Sequence, residues 1–230
     1  MMQIKGIQKT TLIDYPGKIA CTIFLGGCNF KCGYCYNSEI VFNRTPSISE
    51  EEVFDFLSNR TKYLEGVCIT GGEPTINRDL FDFIKRIKKL GYLVKLDTNG
   101  TNPEVVELLL NNNLIDYIAM DIKSSEKNYS KITQTNVNIE KLKKTIKLIM
   151  ESDIEYEFRT TVLPNFSENE MTEIGLMIKG SKNHYLQQFK TTKTMINKGM
   201  ENMETNDKKQ LEEFKRIMSN CVENVQIRGV

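Results

Sequence analysis

Short apolar runs alternate along the chain with longer stretches in which apolar residues recur every three or four positions. The short runs are typical of strands buried on both faces, and they predict strands at about residues 18–25, 67–70, 93–97, 117–122, 154–162, 185–189 and 225–227. The longer stretches predict helices at about residues 49–59, 78–90, 139–150, 167–180 and 207–220, and a further helix with Pro103 in its first turn. Ser49, Asn77 and Ser167 are the predicted N-caps.

This regular alternation predicts an α/β fold whose parallel strands are joined by right-handed crossovers. An open doubly wound sheet and a partly closed (β/α)6 barrel are both consistent with the periodicity. No Pro- or Ser-rich linker interrupts residues 1–230, so a single domain is expected. Residues 190–205 are the least regular stretch, and we interpret them as a lid or as a loop that faces a partner. In either architecture the functional residues are expected at the carboxyl ends of the strands.

The composition is that of a globular protein, with 40% hydrophobic and 27% charged residues. The formal net charge of +1 provides no global field that would attract nucleic acid or an anionic membrane. No apolar run has the roughly 20 residues that cross a bilayer, and the first residues lack the apolar core of a secretory signal. A cytoplasmic protein is therefore expected, in which cysteines serve as metal ligands or catalytic groups rather than as disulfides.

Three of the six cysteines follow the first predicted strand as Cys28-x3-Cys32-x2-Cys35, within a glycine-bearing loop at residues 26–37. A structural zinc site needs four ligands, but no fourth cysteine lies nearby and the only histidine is the distant His184. Soft thiolates suit iron–sulfur clusters, and three of them on a four-iron cluster leave one iron open to a small molecule. The other three cysteines have no ligand-spaced neighbour, so only one cluster is expected.

The cysteine spacing and the set Gly71-Gly72-Glu73-Pro74 after the second predicted strand together resemble two motifs of the radical S-adenosylmethionine (radical SAM) enzymes. This resemblance runs from about residue 12 to residue 188. More narrowly, the segments at 12–18, 96–100, 120–123 and 186–189 resemble the activating enzymes of glycyl radical enzymes. Among these, the likeness is to the activating protein of anaerobic ribonucleoside-triphosphate reductase. Two positions depart from many such enzymes, because Tyr36 and Gln188 stand where they have histidine.

The resemblance implies a partial (β/α)6 TIM-like barrel of parallel strands. It implies one 4Fe-4S cluster held by Cys28, Cys32 and Cys35, with S-adenosylmethionine as the second cofactor. An electron from the cluster would cleave the C5′–S bond of S-adenosylmethionine and produce a 5′-deoxyadenosyl radical. In an activating enzyme this radical takes a hydrogen atom from one glycine of a protein partner, the glycyl radical enzyme. A low-potential donor such as flavodoxin or ferredoxin would supply the electron.

The resemblance and the residue chemistry together suggest which side chains contact S-adenosylmethionine. Tyr34 would meet the adenine, or alternatively only pack within its loop. Gly71 and Gly72 would let the backbone approach the methionine group closely, and Glu73 would accept from its amine; the alternative for these three is a plain turn. Gln188 would contact the ribose or the adenine.

Charged residues at the later strand ends are expected beside the same cofactor. Asp97, Thr98 and Asp121 would hold part of the cofactor or a monovalent cation next to it; the alternative for residues 97–100 is a simple turn with Asn99-Gly100. Lys123 and Arg159 would face the cofactor's carboxylate, and their alternative role is an ion pair with Asp97 or Asp121.

Two other functions remain open at this stage. A radical SAM enzyme could act on a small molecule, as in the biosynthesis of a cofactor or a modified base. A non-catalytic iron–sulfur module for electron transfer would need the three cysteines but not residues 71–74.

Overall fold

The computed structural model describes residues 2–229; Met1 and Val230, which the predicted domain includes, lie outside the described residues. Within them, eight strands form one sheet. The strands are β1 (Ile4–Thr11), β2 (Ala20–Leu25), β3 (Gly66–Gly71), β4 (Leu93–Thr98), β5 (Tyr117–Asp121), β6 (Glu155–Val162), β7 (Asn183–Gln188) and β8 (Asn224–Arg228).

The order of the strands decides between the two architectures that periodicity left open. From β2 to β8 each strand pairs in parallel with the next one along the chain, and β1 adds an antiparallel edge beside β2. A doubly wound sheet would reverse its strand order at a switch point, and this sheet does not. Right-handed crossovers in one direction place the helices on one face, as in a (β/α) barrel. The predicted partial barrel is therefore confirmed, and β1 is an addition that the sequence analysis missed.

The helices in the described chain lie between these strands. They are α1 (Ser38–Val41), α2 (Glu50–Ser58), α3 (Leu80–Lys89), α4 (Pro103–Asn111), α5 (Tyr129–Thr133), α6 (Ile139–Met150), α7 (Glu168–Met177) and α8 (Lys208–Met218). Single 3₁₀ turns occur at Pro74–Ile76, Glu126–Asn128 and Lys198–Met200. Across residues 2–229, none of the helices is both long and apolar enough to span a bilayer.

Two of the three predicted N-caps are confirmed. The side chain of Ser49 accepts a hydrogen bond from the backbone N–H of Glu52, and that of Ser167 accepts one from Glu170. The predicted cap at Asn77 is wrong, because the chain first makes the 3₁₀ turn after Glu73 and α3 begins only at Leu80. Asn77 ends that turn instead.

The two faces of the sheet differ in polarity. Side chains alternate between the faces along each strand, so register partners lie on the same face. Ile23, Ile69 and Leu96 share one register row on the helix-covered face and are fully buried. The neighbouring row on the inner face contains Thr22, Cys68, Lys95 and Tyr117, which are mostly polar. A strand buried on both faces is usually apolar on both, so the polar inner face requires a separate explanation.

The segment between β1 and β2 fills the amino-terminal end of the inner face. The ring of Tyr15 is buried 5.9 Å from that of Tyr117 and packs with Ala20 and Ala119. Ala20 and Tyr117 begin their strands, so this apolar cluster forms a floor beneath the polar rows. The part of the sequence that resembles activating enzymes at residues 12–18 therefore has a structural role here.

The only histidine of the sequence, His184, is fully buried on the helix-covered face of β7. Its Nε2 lies 3.0 Å from Oγ1 of Thr160 on β6. Burial disfavours the imidazolium and lowers the pKa of His184 to about 3. The ring is therefore neutral at physiological pH and serves packing.

His184 is predicted to make the protein less stable in mild acid. Below its ordinary pKa of 6.5, the unfolded chain binds a proton that the folded chain does not bind until about pH 3. The free energy of unfolding should therefore fall by about 2 kcal/mol between pH 6.5 and pH 5, measured by urea titration under reducing, oxygen-free conditions.

The matched variant is His184→Gln, which keeps a polar partner for Thr160 and cannot titrate. Its unfolding free energy should lack this part of the pH dependence. An equal slope in the variant and the natural protein would contradict the assignment to His184.

Candidate active site

The candidate residues of the sequence analysis collect at the carboxyl ends of consecutive strands. The cysteine loop at residues 26–37 follows β2, and Gly71 ends β3 with Gly72 and Glu73 directly after it. Asp97 is the second-last residue of β4, Asp121 ends β5, and Arg159 lies on β6 beside Asp121 in the register. Since these strands are parallel and adjacent, their carboxyl ends and the loops after them lie together at one end of the barrel. We call this end, from the cysteine loop after β2 to Arg159 on β6, the mouth.

The three cysteines on the loop after β2 differ in how deeply they are buried. Cys32 is buried, and Cys28 and Cys35 are half-buried. The backbone N–H of Phe30 donates to Sγ of Cys28 over 3.4 Å, and that of Cys35 donates to the carbonyl of Cys32. Burial raises the pKa of all three thiols, that of Cys28 to about 12, although the charge of Lys123 opposes the rise. At neutral pH the thiols therefore become thiolates only when a metal group binds them.

The donor set has the chemistry that an iron–sulfur cluster takes. The three cysteines of the loop are free thiols, and soft thiolates suit iron–sulfur clusters. In residues 2–229, no three side chains among His, Cys, Asp and Glu converge in a way that would hold one metal ion.

Two glycines bring the loop after β3 against the cysteine loop. A Cβ on Gly72 would overlap the carbonyl oxygen of Gly27, and a Cβ on Gly71 would overlap the backbone of Leu25. Gly71 also has φ +121°, a conformation that other residues rarely adopt. The backbone N–H of Gly72 donates to Leu25 and that of Glu73 to Gly27, both over 2.8 Å. The Gly-Gly pair is thus required by close backbone contact within the protein.

The carboxylate of Glu73 is fully buried and is used inside the protein. Its Oε1 accepts from Thr75, through both N–H and hydroxyl, and from the hydroxyl of Thr98 over 2.8 Å. Its Oε2 accepts from the backbone N–H of Asn99 over 2.6 Å. Glu73 and Thr98 therefore join the loops after β3 and β4, while contact of either with the cofactor stays a prediction.

Asn99 is a residue of the mouth that the sequence analysis read only as part of a turn. Its side-chain N–H donates to Oδ1 of Asn29 over 2.8 Å, and the amide of Asn29 donates to the hydroxyl of Thr101 over 2.8 Å. Asn29 lies between the first two cysteines, so this pair ties the cysteine loop to the end of β4. The sequence signal that could have identified Asn99 is its position two residues after Asp97, at the end of a predicted strand.

The charged residues of the mouth are paired with one another. Nε of Arg159 lies 2.7 Å from Oδ1 of Asp121, and its Nη1 lies 3.1 Å from Oδ2 of Asp97. Lys123 contacts Oδ2 of Asp121 over 2.8 Å. Burial raises the pKa of both carboxyls, but the charge of Arg159 and the neighbouring lysines more than offset this, so both pKa values lie below the ordinary range. The ion pairs considered from sequence are therefore present.

Tyr34 provides a buried polar atom with no hydrogen bond of normal geometry in residues 2–229. The side chain is buried between the second and third cysteines of the loop, and its hydroxyl lies close enough to the thiol of Cys32 to lower the pKa of that thiol, which burial raises overall. It lies within electrostatic range of Lys123 and Cys32. A buried hydroxyl without a hydrogen bond of normal geometry is costly unless a ligand completes it, which fits a bound cofactor at the mouth.

Gln188 lies on the face of β7 that it shares with Leu186 and His184, and not on the face of Arg159. Its amide donates to the backbone carbonyl of Asn206 over 2.8 Å. The neighbouring residue Gln187 shares the inner face. Cofactor contact by Gln188 stays a prediction, and this geometry gives it no support.

Residues 190–205 pack along the cysteine loop. The backbone N–H groups of Ile196 and Asn197 donate to the carbonyls of Cys35 and Gly33, over 3.1 and 2.9 Å. The side chain of Met195 is buried in the core. The roles of lid or partner-facing loop stay predictions, but the segment already supports the loop that carries the cysteines.

Comparison with known proteins adds independent evidence. The family model of the radical SAM superfamily matches residues 22–178. A protein of Methanocaldococcus jannaschii named "Putative glycyl-radical enzyme activating enzyme" is 33% identical over 236 residues, which cover 99% of this chain and 96% of that protein. A 7-carboxy-7-deazaguanine synthase of Neisseria meningitidis serogroup B is 33% identical over 109 residues, 47% of this chain and 45% of that protein.

Solved structures share the fold. A domain of the pyruvate-formate lyase-activating enzyme from Bacteroides vulgatus matches with a TM-score of 0.56 and 20% identity, covering 71% of this chain and 99% of that one. Streptococcus suis SuiB bound to S-adenosylmethionine matches with a TM-score of 0.69 and 15% identity, covering 88% and 48%. At these identities the likeness concerns the fold alone.

The contact between the two loops predicts the effect of Gly72→Ala. The added methyl group meets backbone rather than a flexible side chain, so the loops must separate. We expect a loss of about 3 kcal/mol in unfolding free energy and a lower iron content after anaerobic reconstitution.

Gly6→Ala on β1 is the control, because its Cβ would meet only Phe24 at 3.8 Å. It should change stability by less than about 1 kcal/mol and leave the iron content unchanged. A Gly72→Ala protein that matches this control in both measurements would show that the loops do not need the contact.

Proposed function

The chain belongs to the radical S-adenosylmethionine superfamily, and on that premise we propose that it activates a glycyl radical enzyme. The family implies a 4Fe-4S cluster and S-adenosylmethionine, and the chain is a radical SAM enzyme. The observation that carries the proposed activity is the 33% identity to a protein named as a glycyl-radical activating enzyme, which extends over nearly the whole of both chains.

The residues of the mouth fit the two cofactors. Cys28, Cys32 and Cys35 would hold the cluster, and their thiols are the soft donors that it requires. When bound, the cluster supplies the electron that cleaves S-adenosylmethionine to methionine and a 5′-deoxyadenosyl radical. The hydroxyl of Tyr34 would gain a hydrogen-bond partner of normal geometry, which residues 2–229 do not provide.

The charges of the mouth would orient the methionine group. Arg159 and Lys123 hold their positive groups against Asp121, and both retain further N–H donors for an anion. In our proposal they bind the cofactor's carboxylate, while the backbone beside Gly71 and Gly72 receives the amine. Asp97 and Asp121 would act mainly by positioning these cations, since their carboxylates are already paired.

The surface beside the cysteine loop favours a protein substrate. Tyr36, Phe42 and Ile76 are large apolar side chains that remain exposed by 60%, 40% and 39%. Ile76 and Asn43, the residue after Phe42, both lie near Gly27. Aromatic and apolar side chains are enriched where protein partners bind. We propose that the glycine-bearing segment of the partner covers this rim.

Within this activity we favour anaerobic ribonucleoside-triphosphate reductase as the partner, because several segments of the sequence resemble its activating protein. We further propose flavodoxin or ferredoxin as the electron donor and the cytoplasm as the site of the reaction, where reducing conditions keep the thiols available. The monovalent cation expected near Asp97 and Asp121 is left out of the proposal, because those two carboxylates are already paired.

The second candidate function is radical chemistry on a small molecule. The observation in its favour is the 33% identity to a 7-carboxy-7-deazaguanine synthase, which covers less than half of either protein. The two functions separate by substrate, since only an activase leaves a persistent radical on a second protein.

Anaerobically reconstituted and reduced protein is predicted to convert S-adenosylmethionine to 5′-deoxyadenosine, measured by chromatography. With anaerobic ribonucleoside-triphosphate reductase present, a glycyl radical should appear on the reductase in electron paramagnetic resonance. Cys32→Ala should abolish both signals, because the cluster loses one of its three ligands.

Cys221→Ala is the matched control, since Cys221 is a half-buried cysteine in the turn after α8, outside the cysteine loop. It should keep both signals. Cleavage of S-adenosylmethionine without a radical on the reductase would reject that partner, and a radical product from a deazaguanine precursor would establish the second function. Cleavage that survives Cys32→Ala would refute the assigned site.

A further inference from the structure

Lys95 is a buried cation that the sequence analysis did not assign to the mouth. Its side chain is 2% exposed, on the inner face of β4 and two residues before Asp97. Its ammonium group contacts Oδ1 of Asp97, lies 3.9 Å from Sγ of Cys68 and lies 5.7 Å from the ring centroid of Tyr117. A lysine this deeply buried is rare unless it is paired, so its partner Asp97 explains its presence.

With Lys95 included, every carboxylate oxygen of Asp97 and Asp121 has a cationic partner. Lys95 pairs with Oδ1 of Asp97, and Arg159 pairs with Oδ2 of the same carboxylate. In Asp121, Oδ1 pairs with Arg159 and Oδ2 pairs with Lys123. Three positive side chains thus face two negative ones, and the group carries one excess positive charge.

This charge balance does not fit the monovalent cation that the sequence analysis placed near Asp97 and Asp121. A cation entering there would meet carboxylates that are already paired and a net positive field at short range. A further carboxylate, that of Glu157, lies 4.0 Å from Arg159. It is held by both terminal nitrogens of Arg228 over 2.9 Å and is not free to compensate.

We propose that Lys95 replaces a monovalent cation at this site: its ammonium group supplies, from below Asp97, the positive charge that a bound sodium or potassium ion would supply. Lys95 is a positioning residue in this assignment, since it acts on the cofactor through Asp97 and Arg159. The excess positive charge of the group then matches the carboxylate of S-adenosylmethionine. The inference rests on the proposed binding of S-adenosylmethionine at this mouth.

The first experiment measures S-adenosylmethionine binding to the reconstituted protein by isothermal titration calorimetry. The buffers contain sodium, potassium or N-methyl-D-glucamine chloride at one ionic strength. The natural protein should give dissociation constants that agree within about twofold in the three salts. A clear dependence on sodium or potassium, about tenfold or more, would overturn the proposal.

The sharper test removes the internal cation. Lys95→Met keeps the length of the side chain and deletes its charge, so Asp97 regains an oxygen without a cation. The variant should bind S-adenosylmethionine about tenfold more weakly in N-methyl-D-glucamine chloride and recover in sodium or potassium chloride. Lys95→Arg, which keeps the charge, should remain indifferent to the salt. A merely structural lysine would weaken binding equally in all three salts, and that result would also overturn the proposal.

Lys88→Met is the matched control, because Lys88 pairs with Asp116 over 2.7 Å at the beginning of β5. Lys88→Met should bind S-adenosylmethionine with the affinity of the natural protein in all three salts. A dependence on the cation in this variant would overturn the proposal, because the effect would then not be specific to Lys95.

Thermal melting of the cluster-free protein in the same salts tests the cation without the cofactor. Lys95→Met should melt about 3 °C or more higher in sodium or potassium chloride than in N-methyl-D-glucamine chloride, whereas the natural protein should not. If the natural protein fails to bind S-adenosylmethionine at all, the proposed function fails, and this melting comparison still decides whether Lys95 excludes a cation.

Discussion

The mouth of the barrel depends on one backbone contact, between Gly72 and Gly27. That contact extends the pairing of β2 and β3 beyond the strands and places Glu73 under the cysteine loop. Glu73 then fixes the end of β4 through the N–H of Asn99, and the side chain of Asn99 returns to Asn29 in the cysteine loop. The three loops form a closed ring of hydrogen bonds, so a change in one strand end moves the cysteines. Rigid support of this kind is what a metal group needs from its surroundings.

The polar inner face of the sheet lowers the stability of the fold, so packing alone does not explain why it is polar. Buried charges lose hydration, and their mutual pairing recovers this only with good geometry. Here the pairs continue from the mouth toward the floor, since Arg159 also approaches Glu157, which binds Arg228 and the hydroxyl of Tyr117. A set of apolar residues would fill the same space more stably. Retention of a charged interior therefore points to binding of a charged ligand at the mouth.

Much of the fold could be predicted from periodicity, because most strands are apolar runs and the caps are local. β1 was missed since Lys5, Gln8 and Lys9 interrupt its apolar pattern, and its pairing with β2 is set by tertiary contact. The cysteine loop could be found from spacing alone. Which side of a strand a residue occupies is harder to predict, because one step along β7 moves Gln188 to the helix-covered face. Lys95 carried a usable signal: it alternates with Asp97 in an otherwise apolar strand.

The two ends of the inner face of the sheet differ in their packing. Tyr15 and Tyr117 close the amino-terminal end with apolar packing, and the charged rows above them are tightly paired. The carboxyl ends of the strands, where the cysteines lie, are therefore the end at which we propose that a ligand enters. In the proposed function the radical forms at this end, so cofactor and substrate would occupy the mouth together. With a net charge of +1, the protein offers no long-range field to guide a partner, which is why our proposal assigns recognition to the exposed apolar side chains around the cysteine loop.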